Sequence, residues 1–168
     1  LMTYGYKNFV IFPFEIINSN NKNSFIEASI DFLICDDVCV PEKALIKTNL
    51  QDIETDNLLY DWFLKVPAQT LPIKASLEKD FINIRFSSPF NVTSAIFFVD
   101  NKDIVEHASD QILSKEENNY LLKVKKIVDV EPFANLSGVI SINNNESFII
   151  DAEIDGAPQN SLNISFIQ

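Results

Sequence analysis

Two cysteines, Cys35 and Cys39, are the residues of this 168-residue sequence whose type and spacing most directly predict chemistry. They are its only cysteines, and they lie in the segment 33–41, LICDDVCVP. In an extended strand, residues four positions apart are separated by about 13 Å, whereas a disulfide needs Cα atoms within roughly 4.4–6.8 Å. If the two sulfurs bond, the chain must therefore fold back on itself here.

Such a disulfide would contribute little to the stability of the fold. Closing a loop of about five residues removes unfolded-state entropy worth only about 2 kcal/mol on the chain-entropy formula. A tight pair is also more easily reduced, which favours reversible thiol–disulfide exchange over a structural bridge. Asp36 and Asp37 should raise the pKa of both thiols, because nearby negative charge disfavours the thiolate. The reduced pair should then be a sluggish nucleophile that acts mainly when docked on a partner supplying the activated thiolate.

The segment before the cysteines alternates between apolar and polar residues, as a half-buried strand does. The apolar set is Ile26, Ala28, Ile30 and Phe32, and the polar set is Glu27, Ser29 and Asp31. Continued to Cys35, the alternation places this thiol on the solvent side, where a partner protein can reach it. Pro41 is expected to end the loop, and residues 44–50 are expected to form the returning strand.

Residues 56–66 break this pattern and predict one short helix. Leu58, Leu59, Trp62, Phe63 and Val66 follow helical spacing, with Thr55 or Asp56 as the cap and Pro67 and Pro72 beyond the end. Trp62 is interpreted as a packing anchor. From residue 73 the sequence returns to short strands, with 143–145, NNN, as a hairpin turn. Several short strands at this spacing predict a β-sandwich.

Charge and hydropathy exclude several classes of function. The net charge of −11 argues against nucleic acid and against an anionic membrane surface, because both require clustered Lys and Arg. The sequence has no apolar run of about 18 residues that could span a membrane. It does not begin with Met and carries no signal peptide, so a processed or excised fragment is expected. Two cysteines in one short loop are too few for a secreted disulfide scaffold and fit a redox-managed compartment.

Three motifs resemble one family. They are 3–6, TYGY, then 35–41, CDDVCVP, and 104–108, IVEHA. Together they resemble the amino-terminal periplasmic domain of the DsbD/ScsB family of membrane thiol:disulfide interchange proteins. Many members have Lys after the first cysteine, where this chain has Asp36, and the best-known members space the cysteines further apart.

The resemblance, together with the strand alternation, predicts an all-β fold of two immunoglobulin-like sandwiches in tandem, the first incomplete at its amino terminus, joined by the short helix. The expected divisions are 1–54 for the carboxy-terminal part of a redox-active domain, 55–72 for the helix and linker, 73–155 for the second sandwich, and 156–168 for a tail leading toward a membrane segment.

The resemblance implies electron relay through a reversible Cys35–Cys39 disulfide. Electrons would come from a membrane-embedded or thioredoxin-like domain and pass to thioredoxin-like substrate proteins in the periplasm. Cys39 matches the cysteine that forms the mixed disulfide, and Cys35 the one that resolves it. The partner surface is expected to include Tyr4, Tyr6, Asp36, Asp37, Val40 and Pro41. Neither a cofactor nor a small-molecule substrate is implied, because the sulfurs carry the electrons.

Two alternatives stay open at this point. One is a purely structural disulfide in an immunoglobulin-like binding or adhesion domain, which should resist mild reductants. The other is a metal site formed by Cys35, Cys39 and His107, although structural zinc usually takes four ligands. For His107 alone, a surface or packing role is expected.

Overall fold

The chain separates into two units in the computed structural model, which describes residues 5–13, 25–49, 52, 57–101, 103–129 and 133–157. One unit consists of Lys7–Leu64, and the other of Leu1–Tyr6 with Lys65–Gln168. In the described ranges, no helix has both the length and the apolar character needed to cross a lipid bilayer.

The first unit contains a long β-hairpin and a short helix. Strand β1, Phe25–Cys35, pairs antiparallel with β2, Cys39–Asn49, and Cys35 lies directly opposite Cys39. The strand predicted before the cysteines is therefore confirmed. The returning strand begins at Cys39 rather than at residue 44, and it includes Pro41.

Helix α1 spans Asn57–Phe63, which is shorter than the predicted 56–66. Its last turn continues briefly, since the Leu64 N–H donates to the Tyr60 carbonyl at 3.0 Å. The proposed cap residues lie outside the described residues. Trp62 is half-buried and meets Phe9 edge-on, with ring centroids 5.0 Å apart. This geometry agrees with the prediction that Trp62 is a packing anchor.

The described residues of the second unit form seven strands. They are β3, Ile73–Leu77; β4, Phe81–Phe86; β5, Ala95–Val99; β6, Ile112–Glu116; β7, Asn119–Lys125; β8, Asn135–Ile142; and β9, Glu146–Asp155. Their spatial order is β5-β8-β9-β3-β4-β7-β6. Strands β5, β8 and β9 form one half and β3, β4, β7 and β6 the other, and β3 meets β9 in parallel over only two residue pairs. This is the strand connectivity of an immunoglobulin-like sandwich.

One hydrophobic core lies between the two halves of this sandwich. The side chains of β5 alternate between this core and the outer surface. Ala95 and Phe97 are buried in the core, whereas Ile96 and Phe98 face outward. The side chains that are almost fully buried come from both halves and include Ile82, Ile84, Leu122, Leu136, Ile140, Ile142 and Ile150. The predicted all-β, immunoglobulin-like fold class is thus confirmed, whereas an incomplete first sandwich stays a prediction.

The Gln111 side chain forms hydrogen bonds with backbone groups at the outer edge of β5. The Phe97 N–H donates to Oε1 of Gln111 at 2.8 Å, and Nε2 of Gln111 donates to the Phe97 carbonyl at 2.9 Å. Gln111 directly precedes β6, so its amide links strands from the two halves of the sandwich.

A surface ion pair gives this unit a pH-dependent contribution to stability. Nζ of Lys125 lies 2.8 Å from Oε2 of Glu106, and this hydrogen bond, followed by one from Ser109, lowers the pKa of Glu106 below its usual 4.5. The same bond raises the pKa of Lys125 above 10.5. The carboxylate therefore stabilises the fold at pH values above 4.5, and this stabilisation is lost as the pH falls through the lowered pKa.

Glu106→Gln should lower the thermal midpoint by a few degrees at most at neutral pH, because the pair is on the surface. The difference between the wild type and the variant should shrink as the pH falls below 4.5. Thermal unfolding, monitored by circular dichroism at several pH values between 3 and 7, measures this difference in thermal midpoint. A difference that stays constant over this range would contradict an electrostatic origin.

Candidate functional site

The disulfide lies at the tip of the hairpin. Cys35 and Cys39 are bonded to each other, with their Cα atoms 4.0 Å apart, and residues 36–38 form the loop. The Asp36 N–H points to the Val38 carbonyl at 3.4 Å, so this pair occupies a hydrogen-bonded position. Because such positions alternate along an antiparallel ladder, Cys35 and Cys39 occupy the next, non-hydrogen-bonded position, where opposing Cα atoms lie closest. A hairpin thus brings together two cysteines that an extended chain would separate.

The same alternation explains how Pro41 fits within a strand. Pro41 lies opposite Leu33, one further non-hydrogen-bonded position along the ladder. A residue in this position donates no hydrogen bond across the ladder, so the missing N–H of proline costs nothing here. The expectation that Pro41 ends the loop was wrong for this reason.

Both cysteines are exposed to solvent. The predicted alternation holds along β1, where Ile26, Ala28 and Ile30 are half-buried and the intervening residues are exposed. Cys35 belongs to the exposed set, as the sequence predicted. Phe32 departs from the pattern, because 42% of its surface is exposed. In the described residues, the apolar side chains on both faces of the hairpin are thus open near the tip.

The hairpin tip has two faces with different residues. We define the cysteine face as Leu33, Cys35, Cys39 and Pro41, and the reverse face as Phe32, Ile34, Val40 and Glu42. Leu33 pairs with Pro41, and Ile34 pairs with Val40. Successive side chains in a strand point to opposite faces. Val40 and Pro41, which the sequence assigned to one partner surface, therefore project in opposite directions.

Ion pairs follow the cysteine face away from the tip. Nζ of Lys43 lies 3.4 Å from Asp31, and Nζ of Lys47 lies 2.8 Å from Glu27. These pairs join opposing residues of β1 and β2. An open groove of about 530 Å³ lies along the hairpin, and residues from both faces line it: Asp31, Phe32, Leu33, Pro41, Glu42 and Lys43.

The remaining predicted site residues lie in different parts of the chain. Asp36 and Asp37 are exposed in the loop between the cysteines. Tyr6 is 74% exposed and belongs to the other unit, and Tyr4 lies outside the described residues. His107 is exposed in a turn of the second unit. Within the part of the chain that the structure describes, no cluster of three or more His, Cys, Asp or Glu residues could hold a metal ion.

Sequence reasoning did not single out Leu33. The signal that could have found it is the alternation itself, because Leu33 is two residues before Cys35 and so shares its face. An exposed disulfide beside an exposed leucine is accessible to a thiolate carried by another protein.

Comparisons with known proteins agree with this architecture. No protein-family model matches the sequence, and no curated protein matches it. The fold is similar to the crystal structure of the N-terminal periplasmic domain of ScsB from Proteus mirabilis, with a TM-score of 0.61 and 11% sequence identity. The match covers 80% of this chain and 58% of that chain.

The resemblance that the sequence motifs predict is therefore confirmed at the level of the fold. The chain spans little more than half of the ScsB structure, 58% of its length.

Proposed function

We propose that the β1–β2 hairpin is a thiol–disulfide exchange element that acts in the periplasm. It accepts electrons from a membrane-embedded or thioredoxin-like domain and passes them to thioredoxin-like substrate proteins. The observation that carries this proposal is the solvent-exposed disulfide at the hairpin tip, flanked by exposed apolar side chains. The likeness in fold to a periplasmic domain of ScsB supports it.

Loading begins with the thiolate of the electron donor. It attacks Sγ of Cys39, the disulfide breaks, and Cys35 leaves as a thiolate that takes a proton from solvent. The second thiol of the donor loses its proton and attacks the sulfur of the donor in the mixed disulfide. Cys39 is released as a thiolate, and the donor leaves as a disulfide. Two electrons have passed to the hairpin.

Delivery runs the same chemistry in the opposite direction. The Cys39 thiolate attacks the disulfide of the substrate protein and forms a mixed disulfide with it. The Cys35 thiol then loses its proton to solvent and attacks Sγ of Cys39, which restores the hairpin disulfide. The substrate leaves as a dithiol after its two thiolates have taken up protons. Because the sulfurs carry both electrons, the proposed cycle requires no cofactor.

The position of the bond favours reversible exchange over a structural role. It joins residues that the β1–β2 ladder already places opposite each other, and it encloses only the loop 36–38. The entropy that it removes from the unfolded chain is therefore small, about 2 kcal/mol on the chain-entropy formula. Exposed disulfides also tend to have higher reduction potentials than buried structural ones.

The domain assignment is part of the same proposal. Residues 1–54 would be the carboxy-terminal part of a redox domain, 55–72 the linker, 73–155 the second sandwich, and 156–168 the approach to a membrane segment. We propose that the partner surface includes Tyr4, Tyr6, Asp36, Asp37 and Pro41. Val40, which the sequence assigned to the same surface, projects from the opposite face of the hairpin and is left out of it.

We expect the Cys35–Cys39 couple to have a reduction potential above about −300 mV, the upper limit typical of structural disulfides. Equilibration of the chain with graded glutathione and dithiothreitol buffers, followed by alkylation and mass spectrometry, measures it. The Cys35→Ala/Cys39→Ala variant is the control for alkylation elsewhere. A potential far below −300 mV would favour the binding or adhesion domain with an inert bridge.

A further inference from the structure

The two faces of the hairpin tip are both apolar, but only one carries the sulfurs. We infer that a thioredoxin-like partner docks on the cysteine face, against Leu33 and Pro41, and leaves the reverse face uncovered. This inference rests on the proposed function and adds to it the surface that the partner covers.

The direction of the side chains is the first argument. Cys35 and Cys39 form one rung of the ladder, and Leu33 and Pro41 form the next rung on the same face. Residues two apart in a strand are about 7 Å apart, well within the footprint of a docked protein. A partner whose sulfur approaches either Sγ along this face therefore covers Leu33 and Pro41. Ile34 and Val40 point away from it.

Charge is the second argument. Beyond Leu33 on the cysteine face, Asp31 is paired with Lys43 at 3.4 Å, so a partner at this rung meets neutralised charges. On the reverse face, Glu42 lies opposite Phe32 and has no ion-pair partner among the described residues. Covering a carboxylate that lacks a counter-charge carries a desolvation cost. An apolar partner surface therefore fits the cysteine face better.

The size of the surface is the third argument. One apolar rung next to a disulfide offers little area, which is typical of weak, transient encounters. Such a complex must dissociate after each exchange, so a small contact suits it. The occupant that fits is the apolar rim around the active cysteine of a thioredoxin-like protein.

Adjacent residues provide a matched pair of variants. Leu33 and Ile34 are both large and aliphatic, lie side by side in β1, and are 63% and 58% exposed. They differ mainly in the face that they occupy. The Leu33→Ser and Ile34→Ser variants of the full chain are each reacted with reduced thioredoxin. Samples are quenched at intervals and alkylated, and the fraction of alkylated cysteines measures the loss of the hairpin disulfide. Reduction by dithiothreitol, which needs no docking surface, is measured in parallel.

We expect Leu33→Ser to lower the second-order rate constant with thioredoxin about tenfold, as for the loss of one apolar anchor. Ile34→Ser should change it less than about twofold, and both variants should react with dithiothreitol like the wild type. Pro41→Ser and Val40→Ser repeat the comparison on β2 and cover the case in which Leu33→Ser disturbs the hairpin.

The outcomes separate the two proposals. The docking face would be overturned if the rate constant with thioredoxin fell equally in both members of each pair, fell more for the reverse-face variants, or fell in no variant. Thiol–disulfide exchange itself would still stand in each of these cases. If wild-type protein reacts with dithiothreitol but not with thioredoxin, the proposed function fails, and the docking face fails with it.

Discussion

Cys35→Ala is expected to trap a long-lived mixed disulfide through Cys39, whereas Cys39→Ala should trap little. Attack at Cys39 leaves Cys35 available to close the ring and release the partner, so removal of Cys35 blocks resolution. The residues next to the two cysteines also favour attack at Cys39 over attack at Cys35. Asp36 directly follows Cys35 in the chain, whereas Val38 and Val40 flank Cys39.

The expected difference in trapping is about fivefold. An attacking thiolate carries negative charge, and a carboxylate about 6 Å away opposes it by on the order of 1 kcal/mol in a partly solvated setting. Each variant is incubated with an oxidised thioredoxin-like protein, and the complex is quantified and mapped by mass spectrometry. The Cys35→Ala/Cys39→Ala variant should trap nothing. Equal trapping by both single variants would show that the assignment of roles is wrong.

Gly138→Ala is expected to destabilise the second unit severely. Gly138 in β8 has a φ of 154°, a conformation that residues with a side chain rarely adopt. A Cβ at this position would collide with the carbonyl oxygen of Phe98 and would lie 2.8 Å from the ring of Phe97. Phe97 is only 1% exposed, so its ring has little room to move.

Backbone strain and overpacking together should cost about 3 kcal/mol or more, which lowers the thermal midpoint of a unit of this size by roughly 10–20 °C. Gly156→Ala is the matched control. Gly156 also has a positive φ, 77°, but among the described residues no atom beyond its chain neighbours lies within 4 Å of its would-be Cβ. Calorimetry of both variants measures the effect, and similar midpoints for the two would contradict the steric argument.

The hairpin could be predicted from the sequence because its determinants are local. Alternation along residues 26–32 defines the faces of β1, and the short spacing of the cysteines requires a reversal between them. The start of β2 could not be predicted in the same way. Pro41 resembles a strand breaker until the register shows that it occupies a non-hydrogen-bonded position.

Other features depend on pairings between distant segments and have no local signal. The close approach at Gly138 arises because β8 pairs with β5, so that Val99 lies opposite this glycine. The separation of Val40 from Pro41, by contrast, follows from the alternation of side chains along β2 and could have been predicted locally. The partner surface as a whole stays a prediction, since Tyr4 lies outside the described residues and Tyr6 belongs to the other unit.

The bond pattern of Gln111 has a consequence for self-association. A strand at the edge of a sheet normally offers free N–H and C=O groups, on which the strand of another molecule can add. On β5, the Gln111 amide occupies both groups of Phe97, at the middle of a five-residue strand. An incoming strand would have to displace this side chain before it could pair there. Gln111 thereby protects β5 against edge-to-edge aggregation.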